Sequence, residues 1–304
     1  MFKFIFFYTF LFFFFATIPS LRPFLFYNFA VQIILFVFLA SIPAYLTKRM
    51  SYVDLAWPFG LVAIGVLSLF FAAGEFWNLK IVGFIYLAMG LRMGLGASTM
   101  FFLGHFKKEF PRYLYHRMMW KKENKKNESL LMQKEIFLQA LANMLILPLP
   151  AWIIFHSQSK TPSLFSIMGF GLWILSFSFE SLADYQKQKW IKNKAGQKKS
   201  FCDVGLWKYC RHPNYFGEWM CWNSLIVISL PWALNLFSKT NILLPFLLTI
   251  GLLLISKIMY ECLVNYTGAR PAEYFSLQKR PGYQAYIDST NQFFPWAPRR
   301  VVTV

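Results

Sequence analysis

Eight times along the chain an apolar run of roughly 18–25 residues recurs between polar breaks, and this recurrence excludes most folds open to a polypeptide. The runs lie at about 4–20, 26–46, 53–73, 80–103, 136–156, 163–183, 214–237 and 241–263. Each is long enough for a helix to cross the hydrocarbon core of a bilayer, which takes about 20 residues. Strand-like alternation is absent, so a barrel is not indicated. Inside a bilayer the backbone must satisfy its own hydrogen bonds, and a helix does this within one segment. The expected fold class is therefore all-α, a polytopic membrane helical bundle of about eight transmembrane helices. Composition agrees, with 57% hydrophobic residues, 36 Phe and only 14% charged residues in a chain of 304. A water-soluble core of this size cannot absorb that much apolar surface.

The basic residues alternate in the same rhythm. One set of polar breaks holds Lys3, Lys48 and Arg49, then 9 Lys and Arg in 105–134, 8 in 184–216 and 5 after 263. The opposite set holds only Arg22, Lys80, Lys160 and Lys239. Positive residues mark the cytoplasmic side, so both termini and both large basic loops are expected there. The net charge of +18 then calls for no nucleic-acid partner. Anionic membrane lipids and an anionic cofactor account for it.

The first run, "MFKFIFFYTFLFFFFATIPS", lacks a small-x-small cleavage site and carries a single Lys3; it reads as a retained span rather than a signal peptide. The four cysteines, Cys202, Cys210, Cys221 and Cys262, are scattered without a CxxC. Their spacing suits neither a zinc site nor a disulfide framework, and they read as packing residues. "KKENKKNE" reads as a solvated loop face.

Four polar places interrupt the apolar pattern. In "SYVDLAW" (51–57), Asp54 opens the third run, either as an exposed helix-start carboxylate or as a site residue. In "GLRMGLG" (90–96), Gly90 and Gly94 form a small-xxx-small pair for close helix packing. Arg92 within it either snorkels or pairs with a carboxylate. In "FESLADYQKQKW" (179–190), Glu180, Asp184 and Lys187 stand at i, i+4 and i+7, on one helical face that leaves the membrane and forms a site wall. In "GLWKYCRHPNYFGEW" (205–219), Pro213 suits the first turn of a helix, with His212 near its cap. Asn214 and Glu218 then lie one turn apart, with Arg211 just before the helix. A helix start presents free N–H groups to an anion, and Arg adds bidentate phosphate binding.

"FESLADYQKQKW…FCDVGLWKYCRHPNYFGEW" resembles the signature of the steroid 5-alpha-reductase-like membrane proteins, in particular a bacterial branch whose domain has no assigned function. "VDLAW", "EFPRY" (109–113), "FLQALANMLILPLP" and the tail "TGARPAEYFSLQKRPGYQAYIDSTNQFFPW" resemble its other segments in order, so the likeness runs over roughly 50–298. The two apolar runs before it read as an N-terminal transmembrane hairpin over 1–47. The likeness implies a reductase-like membrane domain over 48–304, with the cofactor pocket in 180–298. It implies NADPH entering from the cytoplasm and an apolar, lipid-like substrate entering from the bilayer, in the cytoplasmic membrane if the source is bacterial. Asp184, Lys187, Trp207, Arg211, His212, Asn214, Tyr215 and Glu218 would line the cofactor pocket, with Arg270, Glu273, Tyr283 and Tyr286 closing it. One departure stands out. The family often has Arg four residues after the Lys of its "DYQK" segment; Ile191 stands there in this chain, and Lys189 or Lys192 would supply the charge.

The implied activity is reduction of an enone or related lipid by hydride from NADPH, with a protein acid polarising the carbonyl oxygen. Glu180, Tyr52 and Asp54 are the candidate acids; a carboxyl in an apolar wall can stay protonated as a donor. The alternative is an S-adenosylmethionine-dependent methyltransferase of the isoprenylcysteine or phospholipid type. Those enzymes share an RHPxY segment but typically carry a Glu-Glu pair in the tail, where this chain has Glu273 and Tyr274. A non-catalytic scaffold or transporter is the third class, and no inverted repeat speaks for it.

Overall fold

A computed structural model describes residues 2–72, 74, 76–157, 161–193, 200–235 and 242–299. Lys160, Lys194, Lys198, Lys199, Lys239 and Arg300, which enter the charge count above, lie outside them. Among the described residues the fold is all helix, with no strand. Six helical stretches are long and apolar enough to cross a membrane: Arg22–Thr47, Met50–Phe71, Trp77–Phe102, Glu128–Ser157, Leu164–Lys192 and Leu243–Lys279. That is the make-up of an integral membrane protein. The first expected span forms a shorter apolar helix, α1 (Phe2–Ala16), which at 1.5 Å per residue is about 22 Å long. The seventh forms a helix over Pro213–Asn235 whose first turns carry Asn214 and Glu218.

The chain divides into two compact units, one of residues 1–170 and 225–255, the other of 171–224 and 256–304. In the first, α2 (Arg22–Phe36) passes through a π-turn at Val37–Ser41 into α3 (Ile42–Thr47). Lys48 ends it in a left-handed conformation, φ 58°. Then come α4 (Val53–Phe71), α5 (Trp77–Phe102), the short α6 (Pro111–Lys122), α7 (Glu128–Leu141), a second π-turn at Ala142–Ile146 and α8 (Leu149–Ser157). Prolines sit in the first turns of α2, α3 and α6, where a missing N–H costs nothing.

Glycines bring α4 and α5 together. A Cβ on Gly65 would stand 2.8 Å from the Gly83 carbonyl, and one on Gly90 would stand 2.8 Å from that of Pro58. Gly90 thus makes the close approach expected of it. Gly94 meets only the Phe59 ring, at 3.3 Å, so the tight seam runs through Gly83 and Gly90 rather than Gly90 and Gly94. Buried amides deal with the π-turns. Gln133 donates to the Ser41 carbonyl at 3.1 Å, and Asn28 donates to the carbonyls of Asn143 and Met144, both at 3.3 Å. Gln32 bridges Asn28 and the Gly60 carbonyl. A bulged turn leaves carbonyls unpaired, lipid offers them no donor, and each such side-chain bond is worth about 0.6 kcal/mol in a membrane protein.

The second unit is built on α9 (Leu164–Lys192) from residue 171 onward, α10 (Pro213–Asn235) up to residue 224, and the end of α11 (Leu243–Glu261) from residue 256. A third π-turn, Cys262–Tyr266, leads to α12 (Ala269–Lys279) and α13 (Tyr283–Ser289). Gly268 makes that bend possible, since a Cβ there would run into the Leu263 carbonyl. At 29 residues α9 is about 43 Å long, more than the roughly 30 Å hydrocarbon core needs. Its last turns, which carry Asp184 and Lys187, can therefore stand clear of lipid.

Candidate functional site

In the second unit the polar face expected on α9 meets the start of α10. Asn214 donates from Nδ2 to Asp184 Oδ1 at 3.1 Å. One turn deeper a Cβ on Gly217 would lie 2.7 Å from the Glu180 Cβ, so the glycine lets the two backbones close over that carboxylate. Residue numbers fall along α9 as they rise along α10, so the helices cross antiparallel. Glu180 is 5% exposed. Glu218 and Tyr215 are half-buried, and the Tyr215 ring lies parallel to the His212 imidazole with centroids 5.2 Å apart. The Asn214 Oδ1 atom is buried and has no hydrogen-bond partner.

The segment before α10 folds against α9 through main-chain contacts. Gly205 has φ +58° and packs its Cα on Gln186, whose Oε1 accepts from the Leu206 N–H at 2.8 Å. Trp207 donates from Nε1 to the Ala183 carbonyl at 2.9 Å. Its ring then forms a platform under the Lys187 ammonium, 4.4 Å from the centroid. Tyr286 donates its hydroxyl to the Trp207 carbonyl and stacks on Phe201, with Tyr283 against the edge of that ring.

Arg211, His212 and Glu273 are brought together, but on one another. Arg211 donates from Nε to Glu273 Oε1 at 2.7 Å and from Nη2 to Oε2 at 3.3 Å. Its Nη1 donates to the carbonyls of Ile287, at 3.0 Å, and Thr290. His212 meets Glu273 Oε1 through Nε2 at 3.0 Å, and Gln292 donates to Oε2 at 2.9 Å. Arg211 also gives its backbone N–H to the Asn291 carbonyl at 2.9 Å. The bidentate guanidinium expected to hold a phosphate instead ties the start of α10 to α12 and the tail. Burial holds the His212 imidazole below its ordinary value, against the pull of Glu273. The neutral ring therefore donates Nε2–H to the carboxylate. Burial also pushes the Tyr283 phenol and the Cys210 thiol up to about 12, and Tyr286 well above its ordinary value. Arg270 lies exposed on α12, one turn before Glu273.

Tyr52 and Asp54 belong to the first unit. Asp54 accepts from the Tyr113 hydroxyl at 2.5 Å and pairs with Arg112 at 3.5 Å. The Tyr113 phenol is raised, first by burial and then by the Asp54 charge. Tyr52 packs edge-on against Phe106 and Phe101. Beside them Glu109 caps the turn that opens α4, accepting from the N–H groups of Met50 and Ser51 at 2.8 and 2.9 Å and from Arg117 at 2.9 Å. Sequence reasoning noticed "EFPRY" only as a likeness. The signal was available in the spacing, since an acidic residue and a tyrosine four apart flank Pro111 at a helix start. Gln292 carried no signal at all. Among the described residues no group of three His, Cys, Asp or Glu is placed to hold a metal ion.

A family model described as "Protein of unknown function (DUF1295)" matches residues 40–290. The chain belongs to that family. No curated protein and no solved structure matches it.

Proposed function

We propose that this member of the family is a membrane reductase. It would bind NADPH on the polar face of its second unit and reduce a conjugated double bond in an apolar, lipid-like substrate, as the likeness to 5-alpha-reductase-like proteins implies. One observation carries the reading. Asn214 is held by Asp184, yet keeps a buried Oδ1 without a partner. A buried acceptor left unpaired costs about 1–3 kcal/mol. A bound hydroxyl or amide removes that cost.

The donor set around it suits a dinucleotide phosphate. Asp184 and Asn214 offer acceptors and a donor to sugar hydroxyls, and Lys187, seated on the Trp207 ring, offers a cation to a phosphate. When bound, such a cofactor supplies a hydride to the β-carbon of a conjugated carbonyl. Glu180, on the same face of α9, is the assigned hydrogen-bond donor to the carbonyl oxygen, where negative charge develops. Asp54 is already engaged by Tyr113 and Arg112. Arg211, His212 and Glu273 position the start of α10 and do not touch the ligand.

Thermal scans of the purified protein in mild detergent test this. At about 100 times its dissociation constant a ligand adds roughly 2.7 kcal/mol to the native state. NADPH is expected to raise the melting temperature, and S-adenosylmethionine is not. Asn214→Ala is expected to lose most of the NADPH effect while melting normally by itself. Stabilisation by S-adenosylmethionine alone would move the chain to the methyltransferase reading.

A further inference from the structure

After α13 the chain comes back to the membrane helices of the second unit. Phe293 packs against Phe216 and Trp219 of α10 and Tyr260 of α11, with ring centroids 5.8, 5.7 and 5.0 Å apart. Phe294 meets the Trp219 ring edge-on at 5.9 Å and stacks on Tyr260 at 6.3 Å. Trp219 donates from Nε1 to the Ser256 carbonyl at 3.0 Å, which ties α10 to α11 at that level. Helix geometry gives the depth. Counted from Leu243, where α11 starts, Ser256 stands about 20 Å and Tyr260 about 26 Å along a hydrocarbon core of roughly 30 Å. On α10, Pro213 lies about 9 Å beyond Trp219 toward the same edge. Both helices therefore put this cluster at the boundary of the core. Lys257, exposed one turn before Tyr260, has the headgroup layer within reach of its long stem. At this boundary Phe294 is 52% exposed and Trp296 74% exposed. Trp296 gives its backbone N–H to the carbonyl of Tyr209, itself exposed, at 3.1 Å. Lys208, next to Tyr209, and Arg299, three residues after Trp296, are exposed as well.

We infer that the tail segment 293–296 is a lipid-binding element, which immerses the Phe294 and Trp296 side chains in the interfacial layer of the membrane on the side of the basic loops. Tryptophan favours that layer because its ring is apolar and its N–H finds a partner there. Lys208 and Arg299 offer charge to lipid phosphates. A lipid surface is the fitting partner because the patch rests on rings carried by α11, part of a stretch long and apolar enough to cross a bilayer. The same segment is gripped from its other side. The Thr290 and Asn291 carbonyls accept from Arg211, and Gln292 donates to Glu273. Lipid on one side and these buried bonds on the other hold the tail against the start of α10. This holds whatever the second unit binds.

Tryptophan fluorescence of the full chain in phosphatidylcholine nanodiscs tests this. Subtracting the spectrum of Trp296→Phe from that of wild type isolates the Trp296 emission; Trp296→Leu takes its place if the Phe variant does not fold. Three quenchers are compared: phosphatidylcholine brominated near the headgroup end of its acyl chains, phosphatidylcholine brominated near the chain ends, and aqueous iodide. For a ring held at the interface, the shallow bromolipid is expected to lower the Trp296 emission at least about twofold, the deep bromolipid to lower it less, and iodide to change it by no more than about a tenth. Iodide quenching that equals or exceeds that of the shallow bromolipid places Trp296 in water and overturns the inference. Stronger quenching by the deep bromolipid than by the shallow one, or quenching by none of the three, overturns it too.

Discussion

Replacing Glu273 by Gln should release the tail from α10. The carboxylate accepts four hydrogen bonds: two from Arg211 at 2.7 and 3.3 Å, one from His212 at 3.0 Å and one from Gln292 at 2.9 Å. A glutamine keeps one acceptor oxygen and turns the other position into an N–H₂ donor. If that group takes the Oε2 position, it confronts the donors of Arg211 and Gln292; if it takes Oε1, it confronts Arg211 and His212. Either way Arg211 loses its counter-charge while its side chain stays 7% exposed beside one that is 11% exposed. So little water reaches the pair that screening saves little. Breaking one partner of a buried ion pair costs about 3–5 kcal/mol. Cys210 reports the event, because it is fully buried and its thiol donates to the Phe293 carbonyl at 3.0 Å. In a background with Cys202, Cys221 and Cys262 changed to Ser, maleimide labelling of Cys210 should run roughly 140- to 3,700-fold faster in Glu273→Gln, at 1.4 kcal/mol per factor of ten. Adding Arg211→Gln should cost less than the sum of the single changes, since the two residues share one interaction. Labelling within about threefold of the parent would refute the buried lock.

Two further outcomes follow from the same unit. The folded His212 value lies below the unfolded one, about 6.5, so its contribution to stability is complete above about 6.5 and declines as the pH falls toward the folded value; the facing charges are Glu273, Arg211 and Lys187. Melting temperature should drop between pH 7.5 and 5.5, and His212→Gln should flatten that drop. Gly217→Leu should destabilise by at least 1–3 kcal/mol, because its Cβ would meet the Glu180 backbone N and Cα at 2.9 Å and a backbone cannot step aside; a thermal scan matching wild type would contradict the close crossing of α9 and α10.

The helices were legible because bilayer thickness imposes a length on every apolar run, and that length survives any choice among Leu, Ile and Phe. The face of α9 was legible because 3.6 residues per turn set Glu180, Asp184 and Lys187 in line. The division into two units was not, since it cuts α9, α10 and α11 in their apolar middles, where composition does not change. The partners of Arg211 were not legible either. Glu273 stands 62 positions away, and a pairing at that distance leaves no periodicity to read. Ser51 and Glu109, 58 apart, escaped for the same reason.

"RHPNY" therefore carries two tasks that lie on opposite sides of Pro213. Arg211 and His212, before the helix starts, reach to Glu273 and the tail. Asn214, after it starts, reaches to Asp184 on α9. Pro213 fixes the backbone between them, so each position is turned by the helical geometry toward one neighbour only. Read as a bare motif, the five residues look like one phosphate cradle. With Arg211 committed to the lock, the cations left half-buried among the described residues of the second unit are Lys187 and Arg280, and neither lies in the motif. Glu273→Gln should therefore loosen the tail while leaving the Asn214–Asp184 contact in place.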